Sequence, residues 1–200
     1  KNGGASAARN KGVAAAQGKY IGWVDADDRI APEMYDKLVC LIRDDKADIA
    51  ECQYSEISND KQRRSGKEEK IISGNGDFIM SEFFGARMKP GLTTKLYRRE
   101  LWNDILFPQG RKHQDCYINM RFSLMPLTYV RTPEPLYYYL IRSNSITTTY
   151  GEREIREAIY LYDYTMDLKS TFAATAKAKE LLERDAVNRL LVRYYEVSVN

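Results

Sequence analysis

The chain has 200 residues, 44% hydrophobic and 30% charged, a length and mix that provide one domain with a real core and exclude a disordered chain. Its 31 basic and 28 acidic residues leave a net charge of only +3 with no basic half or tail, so no nucleic acid partner is expected. No apolar run approaches a membrane span, the opening residues do not read as a secretory signal, and three widely spaced cysteines (Cys40, Cys52 and Cys116) suit a reducing cytoplasm better than a disulfide framework.

Along the chain, Ser6 reads as the N-cap of a helix running through Ala7, Ala8, Val13 and Ala14 to Ala16 and stopped at Gly18. Residues 20–24 are a short apolar run suited to a buried strand. The acidic loop Asp25-Ala26-Asp27-Asp28 follows at once. Pro32 then stands where a first helical turn accepts it, and Met34, Tyr35, Leu38, Leu41 and Ile42 share one helical face. Residues 49–54 read as a strand. This alternation of helices and strands predicts an α/β fold with a mainly parallel sheet flanked by helices. Residues 55–70 are polar and of mixed charge, as expected of a surface loop. A helix is expected over 78–84, a strand over 93–97, and a short helix over 99–102. Residues 116–125 read as a helix ended by Pro126. Two strands, 129–131 and 136–141, are expected to join through a turn carrying Pro133 and Pro135. Beyond Tyr150 the character changes. Residues 152–168 and 176–197 read as helices, the second with Leu182, Ala186, Leu190 and Tyr194 in a stripe. The expected division is an α/β domain over 1–150 and a helical extension over 151–200.

The acidic loop carries the chemistry. Three carboxylates sit at the carboxyl end of an expected buried strand, where open α/β sheets bind ligands. Spaced i, i+2 and i+3 on a turn, they can converge on one hard cation such as Mg2+ or Mn2+, which keeps positions open for phosphate oxygens. A solvated turn capping the Pro32 helix is the competing reading. An EF-hand loop counted from Asp25 needs Gly and Glu where Ile30 and Asp36 stand. A dehalogenase-like phosphotransferase loop meets Arg29 at its fifth position. No phosphate-binding glycine loop is spelled, since Gly74-Asn75-Gly76 runs into Ile79.

Longer segments narrow the choice. Asn2-Gly3-Gly4-Ala5-Ser6-Ala7-Ala8-Arg9-Asn10-Lys11-Gly12, then Ala16-Gln17-Gly18-Lys19-Tyr20-Ile21, then Asp25-Ala26-Asp27-Asp28 stand in order. Lys95-Leu96-Tyr97-Arg98-Arg99-Glu100-Leu101, Gln114-Asp115, and Tyr139-Leu140-Ile141-Arg142 before Ser145-Ile146-Thr147 follow them. Over residues 2–147 the sequence resembles the family 2 glycosyltransferases of the GT-A fold. In that family the D-x-D loop meets the donor diphosphate through a divalent metal. The resemblance therefore implies Asp27 and Asp25 as ligands of Mn2+ or Mg2+, and Arg9, Asp25 and Asp28 as donor-binding residues. A guanidinium fork suits phosphate, and a metal there would neutralise charge on the departing diphosphate.

Inverting transfer needs a base for the acceptor hydroxyl. The family places an Asp for this after a Glu, and the matching pair here is Gln114-Asp115, so Asp115 inherits the catalytic role. Gln114 departs from the family and removes a charge beside the base. The competing reading of Asp115 is a helix N-cap, whose dipole would depress its pKa unless burial offset it. His113, the only histidine, is expected in a partly exposed loop. Trp102 and the tyrosines at 137–139 could stack on sugars or simply pack.

The resemblance implies a Rossmann-type GT-A domain whose usual first strands are missing from this sequence, so an incomplete donor pocket and weak or no activity are expected. It implies transfer of a sugar from a nucleotide-diphosphate donor, foremost a UDP-sugar, to a glycan or lipid-linked acceptor with inversion, in bacterial surface polysaccharide synthesis. The expected location is the cytoplasm, at or near the inner face of the membrane. Peripheral membrane association and a homodimer stay open. Two alternatives remain beside it: a non-catalytic truncated binding module, and a metal-dependent phosphotransferase with Asp25 as nucleophile.

Overall fold

The computed structural model describes residues 3–58, 61–64, 71–74, 79, 82, 91–141, 152–171, 180, 183, 184, 187 and 188. Its elements are α1 (Gly4–Ala15), β1 (Tyr20–Gly22), β2 (Arg29–Ile30), α2 (Met34–Asp44), β3 (Ile49–Ser58), β4 (Lys61–Arg64), β5 (Ile72–Gly74) and β6 (Lys95–Arg98). A 3-10 helix (Arg99–Trp102), α3 (Gln114–Ser123), β7 (Tyr129–Leu140) and α4 (Glu152–Thr171) complete the described set. The strands form a seven-stranded sheet in the order β1-β6-β3-β7-β2, with β4 paired to β3 and β5 paired to β7.

The fold is α/β as expected, but the sheet is mixed rather than mainly parallel. Only β3 and β7 pair in parallel among the described residues; the other five pairings are antiparallel. The reason lies in what fills the frame. β1 and β3 run the same way, as the α2 crossover between them requires, and β7 runs with β3. β6 then enters between β1 and β3 and lies antiparallel to both, pairing Tyr97 with Ile21 on one side and Ile49 on the other.

Side-chain alternation along these strands divides the core in two. Ile49, Tyr97 and Tyr129 face one side, where Trp102, Phe107, Ile118, Met120, Phe122, Leu161 and Leu168 bring the 3-10 helix, α3 and α4 against the sheet. Ala50, Leu96 and Val130, one residue along each strand, face the other side, where Met34, Leu38 and Ile42 bury α2. Trp102 packs edge-on to Tyr97 and Phe122 and stacks on Phe107. These contacts make Trp102 a core residue rather than a sugar platform.

Several local expectations change. Ser6 does not cap α1; Gly3 does, and Ser6 lies buried inside the helix with its hydroxyl donating to the Pro108 carbonyl at 2.6 Å. Residues 55–58 and 61–64 are not loop but a hairpin, with Glu56 opposite Arg63. The extension of β3 is held by β7 as far as Ile57 opposite Leu140, a partner no local pattern can reveal. The turn expected between two strands at Pro133 and Pro135 is instead one continuous strand. The register against β3 shifts between Glu51 and Tyr54, where the facing stretch of β7 carries the two prolines, which have no N–H to give to the ladder. The helix expected over 78–84, the segment Arg142 to Thr147 and the stripe from Leu182 to Tyr194 lie largely or wholly outside the described residues.

Candidate active site

The acidic loop leaves the carboxyl side of β1 and closes with the Asp28 N–H donating to the Asp25 carbonyl at 3.0 Å. Its three carboxylates then part company. Asp28 turns to β7. Its Oδ2 accepts from the Tyr137 hydroxyl at 2.6 Å and its Oδ1 from the Leu140 N–H at 3.0 Å. The same Tyr137 oxygen accepts from the Asp25 N–H at 3.3 Å. Burial, then the bond to Asp28, pushes the Tyr137 phenol far above its ordinary value, so it stays a donor. Asp25 points to Arg9, whose Nη2 lies 3.4 Å from its Oδ1. The exposed Asp27 side chain has no hydrogen-bond partner among the described residues.

Arg9 is placed by α1, and α1 is placed by its neighbours in the motif. Asn10 clasps Phe107 twice: its Nδ2 donates to the Phe107 carbonyl at 3.0 Å, and its Oδ1 accepts from the Phe107 N–H at 2.8 Å. Ser6, one turn earlier on the same face, ties to Pro108. These bonds fix the helix backbone on both sides of Arg9 in sequence. The guanidinium hangs 5.5 Å from the Phe107 ring centroid. Its Nη1 reaches Gln114 Oε1 and Asp115 Oδ1, both at 3.2 Å.

Asp115 is in the first turn of α3, two residues past the cap residue His113, so it is not the N-cap. His113 takes a left-handed backbone with φ 54°, which starts the helix abruptly at Gln114. The exposed position expected for His113 is what it has. Gln114 spans the junction by donating from Nε2 to the Arg111 carbonyl at 3.1 Å. Burial raises the Asp115 carboxyl above its ordinary value, Arg9 opposes this, Asp25 adds to it, and Lys95 opposes it. Burial, with the Asp25 charge, thus outweighs the Arg9 and Lys95 cations, which favours a group able to take up a proton. Asp25 is also raised, first by burial, against Arg9, with Asp28 and Asp27 adding repulsion.

The structure therefore brings Arg9, Asp25 and Asp115 together through one guanidinium, with Asp27 beside them on the loop and Asp28 turned away into β7. No group of three Asp, Glu, His or Cys side chains gathers as a metal cage among the described residues. Mn2+ and Mg2+ seldom need one. They are commonly held by one or two carboxylates with phosphate oxygens and water completing the shell. Asp27, exposed, and Asp25, whose Arg9 contact uses one oxygen, fit that mode. Asp28, with both oxygens taken by β7, does not.

Sequence reasoning missed Ser6, Asn10 and Tyr137 as the residues that hold the site. The i, i+4 spacing of Ser6 and Asn10 around Arg9 was a usable signal; Tyr137 gave none, being one tyrosine in a run. The segment from Lys95 is structural. Lys95 is buried on Glu51 at 2.9 Å, while Arg98 donates to the Ala47 carbonyl at 2.9 Å and lies 3.5 Å from Asp48.

Comparison with known proteins identifies the family and the fold. The sequence profile described as Glycosyl transferase family 2 matches residues 1–111. The uncharacterized glycosyltransferase YibD of Escherichia coli is 31% identical over 159 residues, 73% of this chain and 45% of that protein. The glycosyltransferase GlyG of Streptococcus pneumoniae is 29% identical over 161 residues, 74% of this chain and 52% of that protein. The chain spans about half the length of the curated relatives it matches. Among solved structures, S. aureus TarS residues 1–349 in complex with UDP-GlcNAc superposes with a TM-score of 0.73 at 19% identity, over 96% of this chain and 54% of that one.

Proposed function

The chain belongs to glycosyl transferase family 2, and from that premise we propose that it serves an inverting transfer of a sugar from a nucleotide-diphosphate donor, with Asp115 as the base. The observation that carries this reading is the Arg9 bridge, which puts the acidic loop and Asp115 within the span of a single guanidinium. A donor whose diphosphate lay at the loop would present its sugar toward Asp115. TarS, a structural neighbour, is solved with UDP-GlcNAc and with UDP, which supports a UDP-sugar as donor.

In this reading the acceptor hydroxyl gives its proton to a carboxylate oxygen of Asp115 as its oxygen attacks the anomeric carbon. The bond from that carbon to the diphosphate breaks on the opposite side, so configuration inverts. Burial of Asp115 supports the step, since it raises the affinity for the proton being removed. Arg9 holds the diphosphate, for which its fork is suited. Asp27 and Asp25 would hold Mn2+ or Mg2+, whose chemistry when bound is to neutralise charge on the leaving diphosphate. Asp28 serves the donor indirectly, by fixing the loop. The acceptor is proposed as a glycan or lipid-linked saccharide in surface polysaccharide synthesis, handled in the cytoplasm at the inner face of the membrane. No helix among the described residues is long and apolar enough to cross a membrane.

The test is UDP release from a panel of UDP-sugars in the presence of Mn2+. Expected is release with one donor, abolished by Asp115→Asn and by chelation. UDP binding without any release would favour a non-catalytic binding module. Release unaffected by Asp115→Asn would remove Asp115 from the mechanism.

A further inference from the structure

We propose that Arg9 is an exchangeable clamp: without donor its guanidinium holds Asp25 and Asp115, and the donor diphosphate takes it over, freeing the base only when a donor is in place. This rests on the function proposed above.

Three features of the geometry point to exchange rather than a fixed brace. The clamp bonds are long, 3.2 Å to Asp115 and 3.4 Å to Asp25. Charge-assisted bonds to carboxylates run at about 2.7–2.9 Å when fully formed. Next, the side chain is only partly buried, 23% exposed against 32% for Asp115 and 49% for Asp25, so an incoming anion can reach it. Finally, the backbone beneath it is pinned by Ser6 and Asn10. The helix cannot follow the guanidinium, and a swing about the side-chain torsions is the motion left. A diphosphate offers a fork of shorter bonds and more negative charge than the split contact to Gln114 and Asp115.

The consequence is a competition that can be measured. Asp115 and the diphosphate draw on the same cation, so weakening the Asp115 hold must favour nucleotide. Calorimetry of UDP with Mn2+ on wild type, Asp115→Asn, Arg9→Gln and the double variant reads it. Expected is tighter UDP binding in Asp115→Asn, by roughly three- to tenfold, and weaker binding in Arg9→Gln. In the Arg9→Gln background, Asp115→Asn should then change affinity by less than about twofold. A purely structural Arg9 predicts no such dependence. Arg9→Lys, which keeps the charge but loses the fork, gives the second background if Arg9→Gln melts early. There the Asp115→Asn gain should shrink without vanishing.

An equal Asp115→Asn gain with and without Arg9 would mean simple repulsion between Asp115 and UDP, and would overturn the clamp. So would no gain in the wild-type background. Absence of UDP binding in every variant, wild type included, would overturn the donor reading itself and the clamp with it.

Discussion

The charges around Arg9 and the charges around Glu51 use the same residue types to opposite ends. Glu51 on β3 is buried between Lys95 of β6 at 2.9 Å and Arg131 of β7 at 4.0 Å, while Arg131 also meets Glu82 at 3.0 Å. The Thr94 hydroxyl at 3.0 Å and the Tyr129 hydroxyl donate to the same carboxylate. Two carboxylates and two cations balance there, with side chains at most 7% exposed. Around Arg9, one cation faces two carboxylates at 3.2 and 3.4 Å, with all three side chains in reach of water. The first arrangement joins three strands and has nowhere to go. The second is under-neutralised and open, as a group that must meet an anionic ligand has to be.

Breaking the buried set should therefore cost the most. Glu51→Ala leaves Lys95 and Arg131 without their shared carboxylate in low dielectric, a loss of about 3–5 kcal/mol. Against a typical total of about 5–15 kcal/mol, that should lower the urea midpoint severely. A midpoint near wild type would show that water or Glu82 takes over, and the contrast with the Arg9 site would fail.

Asp115→Asn is the counterpart at the open site. Loss of a general base costs about 10²–10⁴ in turnover. The unfolding free energy should stay within about 1 kcal/mol, because burial already disfavours the Asp115 charge. The wild-type rate should rise with pH through a midpoint above the ordinary 3.8, since the base works only after losing a proton that burial helps it keep. The linked stability has the opposite slope. The folded chain holds that proton more tightly than the unfolded one, so this contribution declines as pH rises from 3.8 through the folded midpoint. A rate profile that ignores pH throughout this window would remove Asp115 as the base.

A third measurement probes the buried side alone. Cys52 follows Glu51 on β3, and burial, then the Glu51 charge, push its thiol from 9.0 up to about 12. The folded chain therefore keeps a proton that the unfolded chain gives up, and stability should fall as pH rises from 9.0 toward about 12. Cys52→Ala should flatten that part of the curve, at a small cost in packing near neutral pH. An unchanged slope would assign the alkaline loss to the tyrosines, of which Tyr117 is also raised to about 12.

The two regions were also unequally legible in the sequence. The frame of β1, α2 and β3 could be read because its signals are local: an apolar run, a proline before an amphipathic helix, another apolar run. What β6 and the outer part of β7 do could not be, because antiparallel insertion and a proline-bearing strand depend on partners far along the chain. At the site, Arg9, the acidic loop and Asp115 stood out through an ordered set of motifs. Their division of labour did not, since D-x-D-D spelling gives Asp28 the same standing as Asp27. Only the approach of β7 separates them. The buried cluster was less visible still. Lys95 and Arg131 look like surface cations until Glu51 is found between them.

Tyr137 sits where these two regions meet, and Tyr137→Phe is the mildest way to test their separation. The phenol donates to Asp28 and accepts from the Asp25 N–H, so it ties the acidic loop to β7 at two points. Phenylalanine keeps the ring in its core position and removes those bonds together with the hydroxyl's interaction with Thr93. Asp28 retains the Leu140 N–H and is not fully buried, so the stability cost should be about 1 kcal/mol. The larger consequence is geometric. A loop free to shift carries Asp25 and Asp27 with it, and orienting bonds of this kind typically tune metal affinity by about 10–100-fold when they touch a ligand directly. Here the tie reaches Asp25 only through its backbone N–H and Asp27 only through its neighbour Asp28, touching neither carboxylate, so the Mn2+ concentration for half-maximal UDP release should rise by less than about tenfold, with turnover at saturating Mn2+ close to wild type. A fall in turnover with an unchanged Mn2+ requirement would place Tyr137 nearer the reacting sugar. A stability loss alone would make it part of the buried frame and move the boundary between the two regions up to the loop.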